Sequence, residues 1–307
     1  MLVPYVCSAH FRAAVHSVFD QVFNLAGKDG QLVSVIVEEL GNFPHGILVT
    51  NPHIPFGSLG LKEGMLALGT GNSTLRLPQA RVVLNLHNAR VWPASIPMGP
   101  ILRPDEIKAN LSVLECVAQA YTERAGLSML IRHWQPLLCA EMPQDGELTA
   151  LGRAARGPVL NLLRGIRRKN RRTSLEAARR LIGLGVGSTP SGDDLLIGFL
   201  LSLLSLGDRL DRGQDIASLA QDIAVLSKGR TTWISQAFLQ HAANNEASET
   251  LRDLICSVLT ASDVQVAAAA RKVLQMGSTS GAELVLGVLL GMGLGLELAN
   301  LHTAGAP

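Results

Sequence analysis

Over the first hundred residues the apolar positions come in short runs: LVSVIVEE at 32–39, GILVT at 46–50, MLALGT at 65–70, STLRL at 73–77 and ARVVLNL at 80–86. The runs are rich in β-branched residues and separated by the Gly, Pro and Asn clusters GNFPHG, NPHIPFG and TGNS, which predicts strands joined by turns. Their spacing predicts a small antiparallel sheet or barrel. The segment WPASIPMGPILRP at 92–104 carries four prolines and fits neither a regular helix nor a central strand. A boundary near residue 104 follows, with a β-rich domain at 1–104 and an all-α domain at 105–307.

Beyond that point the period becomes helical. Residues 105–125 place Ile107, Leu111, Leu114, Val117 and Ala118 on one face, with acids in the first turn where a helix N-terminus favours them. Further helices are predicted at 149–156, 158–168, 174–183, 193–206, 215–227, 230–243, 247–260, 263–275 and 281–299. Two stretches, LLIGFLLSLLSL and LVLGVLLGMGLGL, are apolar all round but short of the ~18–20 residues of a bilayer span. Each predicts a helix buried on every side. The fold class is therefore α+β.

The main internal signal is a repeat. Aligning GSTPSGDDLLIGFLL (187–201) with GSTSGAELVLGVLL (277–290), and skipping Pro190, gives nine identities in fourteen positions. AARRLIG precedes the first copy and AAARKVL the second, and Ser191 stands 89 residues from Ser280. That offset exceeds the ~20–50 residues of a solenoid repeat, so it points to a duplicated helix-turn-helix unit. Each turn also fits a capping box, Ser191 with Asp194 and Ser280 with Glu283. Capping does not explain Asp193, which corresponds to Ala282 in the second copy. Two acids at one helix start would repel a phosphate. Either the turn binds Mg²⁺ or a cationic or amide group, or the acids face away and Ser188, Thr189, Ser191 and the backbone meet the ligand.

Composition narrows the remaining classes. The chain of 307 residues is 47% hydrophobic, 17% charged and 4% aromatic, with 27 basic and 25 acidic residues and a net charge of +2. That balance gives no electrostatic reason for nucleic acid or an anionic membrane, and few rings to stack on bases. Cys7, Cys116, Cys139 and Cys256 show no CxxC and no zinc-ligand spacing, and read as reduced, mostly buried thiols. The first residues lack a signal-peptide pattern, so a cytoplasmic location is expected.

Weaker candidates are the basic run RGIRRKNRR (164–172), for phosphate, carboxylate or an acidic partner surface; Thr231, Thr232 and Ser235, as caps or ligand donors; His241; and Asn85, His87 and Asn88 beside a strand. No GxxxxGK[ST], HExxH or GxSxG motif and no Ser-Thr-Arg-Thr-Arg loop of ordinary carbamoyltransferases is present. GLGVG at 183–187 follows a helical pattern where a dinucleotide loop requires a strand.

GLGVGSTPSGDDLLIGFLLSL resembles the AllH family, associated with the H subunit of oxamate carbamoyltransferase. GNFPHGILV, the ARVW at Trp92, TTWISQAFLQHA and MGSTSGAELVLGVLLGM extend the resemblance over most of the chain. Glu283 departs from the family pattern, which more often has Asp there. The resemblance implies carbamoyl transfer between oxamate or oxalurate and phosphate or carbamoyl phosphate in allantoin breakdown, with further subunits as partners. On the matching motif it makes Asp193 and Asp194 the catalytic candidates and Ser188, Thr189, Ser191, Gly192, Thr279, Ser280 and Gly281 the substrate-binding ones. Mg²⁺ is the cofactor candidate. Two alternatives stand beside it: a Mg-ATP-dependent small-molecule phosphotransferase and a non-catalytic scaffold subunit.

Overall fold

Seven strands, β1 (Arg12–Val18), β2 (Val22–Gly27), β3 (Leu32–Val37), β4 (Gly46–Val49), β5 (Leu66–Gly69), β6 (Thr74–Leu77) and β7 (Val82–Asn85), form one curled sheet in the order β4-β3-β2-β1-β5-β6-β7. The computed structural model describes residues 5–303 except Cys7, Asp29 and the segments 51–54, 122–124 and 211–212; most of NPHIPFG thus lies outside the described residues. One face carries the core, in which Val15, Phe23, Leu25, Val33, Leu75 and Leu77 are buried. Along β6 the alternation is plain, with Leu75 and Leu77 buried and Arg76 exposed.

The sheet departs from the sequence expectation in two ways. It is mixed, because β3 and β4 run parallel with Ser34 opposite Gly46. The short 3₁₀ turn Glu38–Leu40 and the loop after it return the chain to the start of β3, where Ser34 N–H donates to the His45 carbonyl at 2.9 Å. It also contains β1 and β2, whose polar residues hide them from a periodicity reading. Those residues pair with one another: Ser34 Oγ donates to Asn24 Oδ1 at 2.6 Å, and Asn24 Nδ2 to Ser17 Oγ at 2.9 Å, so Asn24 is buried at little cost.

Contacts divide the chain into compact units at 1–94 and 95–307. The second begins ahead of the residue-104 boundary, since the proline-rich stretch is tied to helices there: Ile96 N–H donates to the Asn245 carbonyl at 3.0 Å and Leu102 N–H to that of Leu259 at 2.8 Å. Its helices are α1 (Pro104–Tyr121), α2 (Trp134–Leu138), α3 (Ala150–Arg167), α4 (Arg171–Leu181), α5 (Ser191–Ser205), α6 (Gly213–Leu226), α7 (Trp233–Ala243), α8 (Glu249–Thr260), α9 (Asp263–Leu274) and α10 (Ser280–Thr303). Helix α3 replaces two predicted helices. Pro158 lies inside it, and Gly157 before it lacks the Cβ that would clash with the proline ring. Burial of Val159, Leu160, Leu162 and Leu163 on one continuous face outweighs the missing N–H.

Helices α5 and α10 form the centre. A Cβ on Gly198 would lie 2.2 Å from the Leu284 carbonyl oxygen, and one on Gly287 2.2 Å from that of Leu195. Only glycine permits that approach. Among the described residues one helix, α10, is long and apolar enough to cross a membrane by length and composition, and 89% of its apolar window is buried within the protein. The cysteines depart from the sequence reading: Cys116 and Cys139 are exposed, Cys256 is half-buried, and Cys7 lies outside the described residues. Small thiols at the polar margin of α1 and just past α2 are not needed by the core.

Candidate functional site

The turn between α4 and α5 is shaped by glycine. Gly183, Gly185 and Gly187 have φ of 74°, 119° and 101°, a region open to glycine but strained for other residues. A Cβ on Gly192 would stand 2.0 Å from the Leu181 carbonyl oxygen, and one on Gly281 2.1 Å from that of Val273, so both helix starts sit directly on the end of the preceding helix. The two turns meet where Thr189 Oγ1 and Ser280 Oγ hydrogen-bond at 3.2 Å.

Neither predicted capping box forms. Pro190 occupies the cap position of α5, with no side-chain cap bond; Ser191 is already in the helix and buried. In the second turn the Thr279 carbonyl accepts from the Ala282 and Glu283 N–H groups, and Thr279 Oγ1 donates to Glu283 Oε2 at 3.2 Å. The acids turn inward instead of back to the caps. Asp193 is fully buried, accepting from Gly183 N–H at 2.9 Å, from Ser235 Oγ at 2.8 Å and from the Thr231 hydroxyl. Burial lifts its carboxyl above the ordinary range, and the Thr231, Gly183 and Ser235 bonds oppose that. Asp193 therefore fastens the α5 start to the glycine turn and to α7. We expect Asp193→Asn to cost about 2 kcal/mol in denaturant unfolding, because an amide cannot accept all three donors.

Asp194 is 3% exposed. The hydroxyls of Ser280 and Thr189 bond its carboxyl, while Oδ2 is buried with no hydrogen-bond partner. Burial drives this carboxyl well above the usual range, opposed by the Ser280 hydroxyl and reinforced by the nearby Glu283 carboxylate. The Asp194 carboxyl thus holds its proton to a higher pH than an ordinary aspartate. Glu283, 1% exposed, accepts the Leu127 N–H at 3.2 Å and the Thr279 hydroxyl. Gly126, at φ 56°, lies over it so closely that a Cβ would stand 2.2 Å from Glu283 Oε1. Gly126→Ala is expected to lower the melting temperature by several degrees, a clash and a left-handed φ acting together.

The polar groups toward solvent are hydroxyls and backbone. Ser188 is exposed, Thr189, Thr279 and Ser280 are half-buried, and Ser191, Gly192 and Gly281 are buried. Thr232 caps α7 by accepting the Ser235 N–H at 3.1 Å and donates to the Ser188 carbonyl, so the 231–235 segment serves both as cap and as brace of the turn. Sequence reasoning missed the partnership of Gly126, Leu127 and Glu283, which no local pattern marks. Elsewhere His241 pairs with Glu246 at 2.6 Å and Asn85 Oδ1 accepts the His87 N–H at 3.0 Å, both local turn contacts. Among the described residues no group of three or more His, Cys, Asp or Glu is arranged to hold a metal ion.

The family model described as oxamate carbamoyltransferase subunit AllH matches residues 181–292, the span holding both turns. The AllH family N-terminal domain matches residues 2–91, the sheet unit. The chain belongs to the AllH family. That family is named as a subunit of oxamate carbamoyltransferase, which implies partner subunits. No solved structure matches the chain. In this AllH-family member the specific motif TPSGDD turns both acids inward, with Ser191 buried and Thr189 half-buried.

Proposed function

We propose that the paired turns at 187–194 and 277–283 form an anion-binding site for carbamoyl transfer, in which oxalurate and phosphate exchange with oxamate and carbamoyl phosphate. The carbamoyl carbon breaks its bond to the oxamate nitrogen and forms one to a phosphate oxygen, and the reverse direction undoes this. The observation that carries the reading is the orientation of the two turns. Ser188, Thr189 and Ser280 place hydroxyls at the two helix starts, where the helix dipole favours anions, while the Thr279 hydroxyl is held by Glu283. The repulsion two carboxylates would bring is reduced, because Asp193 is enclosed by three donors and burial favours the protonated form of Asp194. Both acids then act as positioning residues rather than as groups touching substrate.

Mg²⁺ fits poorly here. Both Asp193 oxygens are engaged, which leaves Asp194 and Glu283, and both Glu283 oxygens accept protein hydrogen bonds. We also infer that segments 187–201 and 277–290 are copies of one unit; the reciprocal approach of Gly198 and Gly287 to the Leu284 and Leu195 carbonyls supports this. The reaction belongs with allantoin breakdown in the cytoplasm, shared with other subunits.

The test is thermal unfolding of the purified chain with carbamoyl phosphate, oxamate, oxalurate, phosphate, Mg²⁺ and Mg-ATP. A ligand at a hundredfold its Kd adds about 2.7 kcal/mol to stability. Carbamoyl phosphate or oxamate is expected to raise the melting temperature. A shift with Mg-ATP alone would mark a phosphotransferase, and no shift with any ligand would mean that this chain binds none of them alone and move the search to its partner subunits.

A further inference from the structure

The run RGIRRKNRR, six cations in nine residues, spans the end of α3, the short connection and the start of α4. Two of them serve the fold. Arg167 pairs with Glu297 at 2.7 Å and also donates to the Leu138 carbonyl, while Arg171 pairs with Asp222 and Ser218. Arg164, Arg168, Lys169 and Arg172 are exposed, and none has an ion pair among the described residues. Like charges so crowded repel one another, and the helices need none of these four for packing.

The same turn borders a cavity. Lys169 adopts φ 55° and Asn170 caps α4, so the chain reverses sharply beside a cavity of about 190 Å³. Ile166, Ile216 and Leu219 give it an apolar floor, and Lys169, Asn170 and Asp215 stand at its rim. It is larger than the ~150 Å³ hole that holds a benzene-sized guest. Lys169 at the cavity, with Arg164, Arg168 and Arg172 close to it in sequence, matches acidic side chains flanking one aliphatic anchor. Among the described residues no aromatic side chain lines the cavity, which gives bases no platform to stack on.

We propose that the α3–α4 turn is a docking surface for an acidic segment of a partner subunit, which seats one aliphatic side chain in this cavity and sets its carboxylates against Arg164, Arg168, Lys169 and Arg172. The existence of a partner rests on the subunit reading of the family; the surface itself rests on the unpaired charges and the socket. The test is fluorescence anisotropy of a labelled Glu-Asp-Glu-Leu-Glu-Asp-Glu peptide with the full chain at low salt. Saturable binding that weakens as salt is added is expected. Binding should fall about tenfold with the R168E/K169E chain, and by a similar factor when the peptide Leu becomes Gln. Both altered residues are exposed, and an unchanged melting temperature verifies the fold. Undiminished binding to the charge-reversed chain, equal binding of the Gln peptide, or no binding at low salt would each overturn the assignment. None of these outcomes involves carbamoyl phosphate, so failure here and failure of the turn site are separable.

Discussion

Gly198→Val is expected to lower the unfolding free energy by more than about 4 kcal/mol in guanidinium melts, and Gly198→Ala by about 3 kcal/mol. The added Cβ would meet backbone, the Leu284 carbonyl oxygen at 2.2 Å and its carbon at 3.0 Å, and not a movable side-chain tip. Relief therefore requires α5 and α10 to part, and the apolar residues of both helices are buried, from Leu195 to Leu203 and from Leu284 to Leu296. Gly287→Ala should behave alike, since its Cβ would meet the Leu195 carbonyl oxygen at 2.2 Å. Gly207→Ala is the control: nothing lies within 4 Å of its Cβ position, and its effect should stay within about 0.5 kcal/mol.

The second large effect concerns pH. The Asp194 carboxyl is raised well above its usual range in the folded chain, chiefly by burial, whereas in the unfolded chain it titrates near ~3.9. Between those two values the native state holds a proton that the unfolded state has lost. Stability linked to Asp194 is thus complete at low pH and falls as pH rises toward the folded value, by up to about 1.4 kcal/mol per pH unit. Asp194→Asn cannot ionise and removes this slope. In urea melts from pH 5 to pH 8 the wild-type chain should lose more stability than the variant, with the gap widening upward. Parallel stability curves would show that Asp194 is ionised in the folded chain. Asp193, raised less and held by three donors, remains in both proteins and cancels in the difference.

Much of the fold was legible because burial follows pattern. The strands from Leu32 onward and the helices from Pro104 onward show the periods that half-buried strands and packed helices impose. β1 and β2 did not, because Ser17, Asn24 and Ser34 satisfy one another across strands, a pairing that exists only once the sheet is formed. The parallel β3–β4 pair was hidden for a related reason, since direction depends on the path of the connecting loop. Pro158 argued for two helices, and tertiary burial of Val159 to Leu163 overrode it.

At the candidate site, the residues stood out but their directions did not. Gly192, Asp193, Asp194 and Glu283 were visible as a repeated turn with extra acids. Pro190 at the cap position turned the expected capping box into an inward-facing acid cluster. The partners of that cluster come from afar: Thr231 and Ser235 from the α7 start, and Leu127 from a segment 156 residues before Glu283. No spacing rule reaches that distance.

The most direct measurement of the anion site is isothermal titration calorimetry of carbamoyl phosphate into the wild-type chain and into Thr189→Val/Ser280→Ala. These hydroxyls join the two turns at 3.2 Å, and losing both should weaken binding by about tenfold or more at an unchanged stoichiometry for whatever binding remains. Carbamoyl phosphate bound equally well by both proteins would place the substrate elsewhere and contradict the assignment of the paired turns.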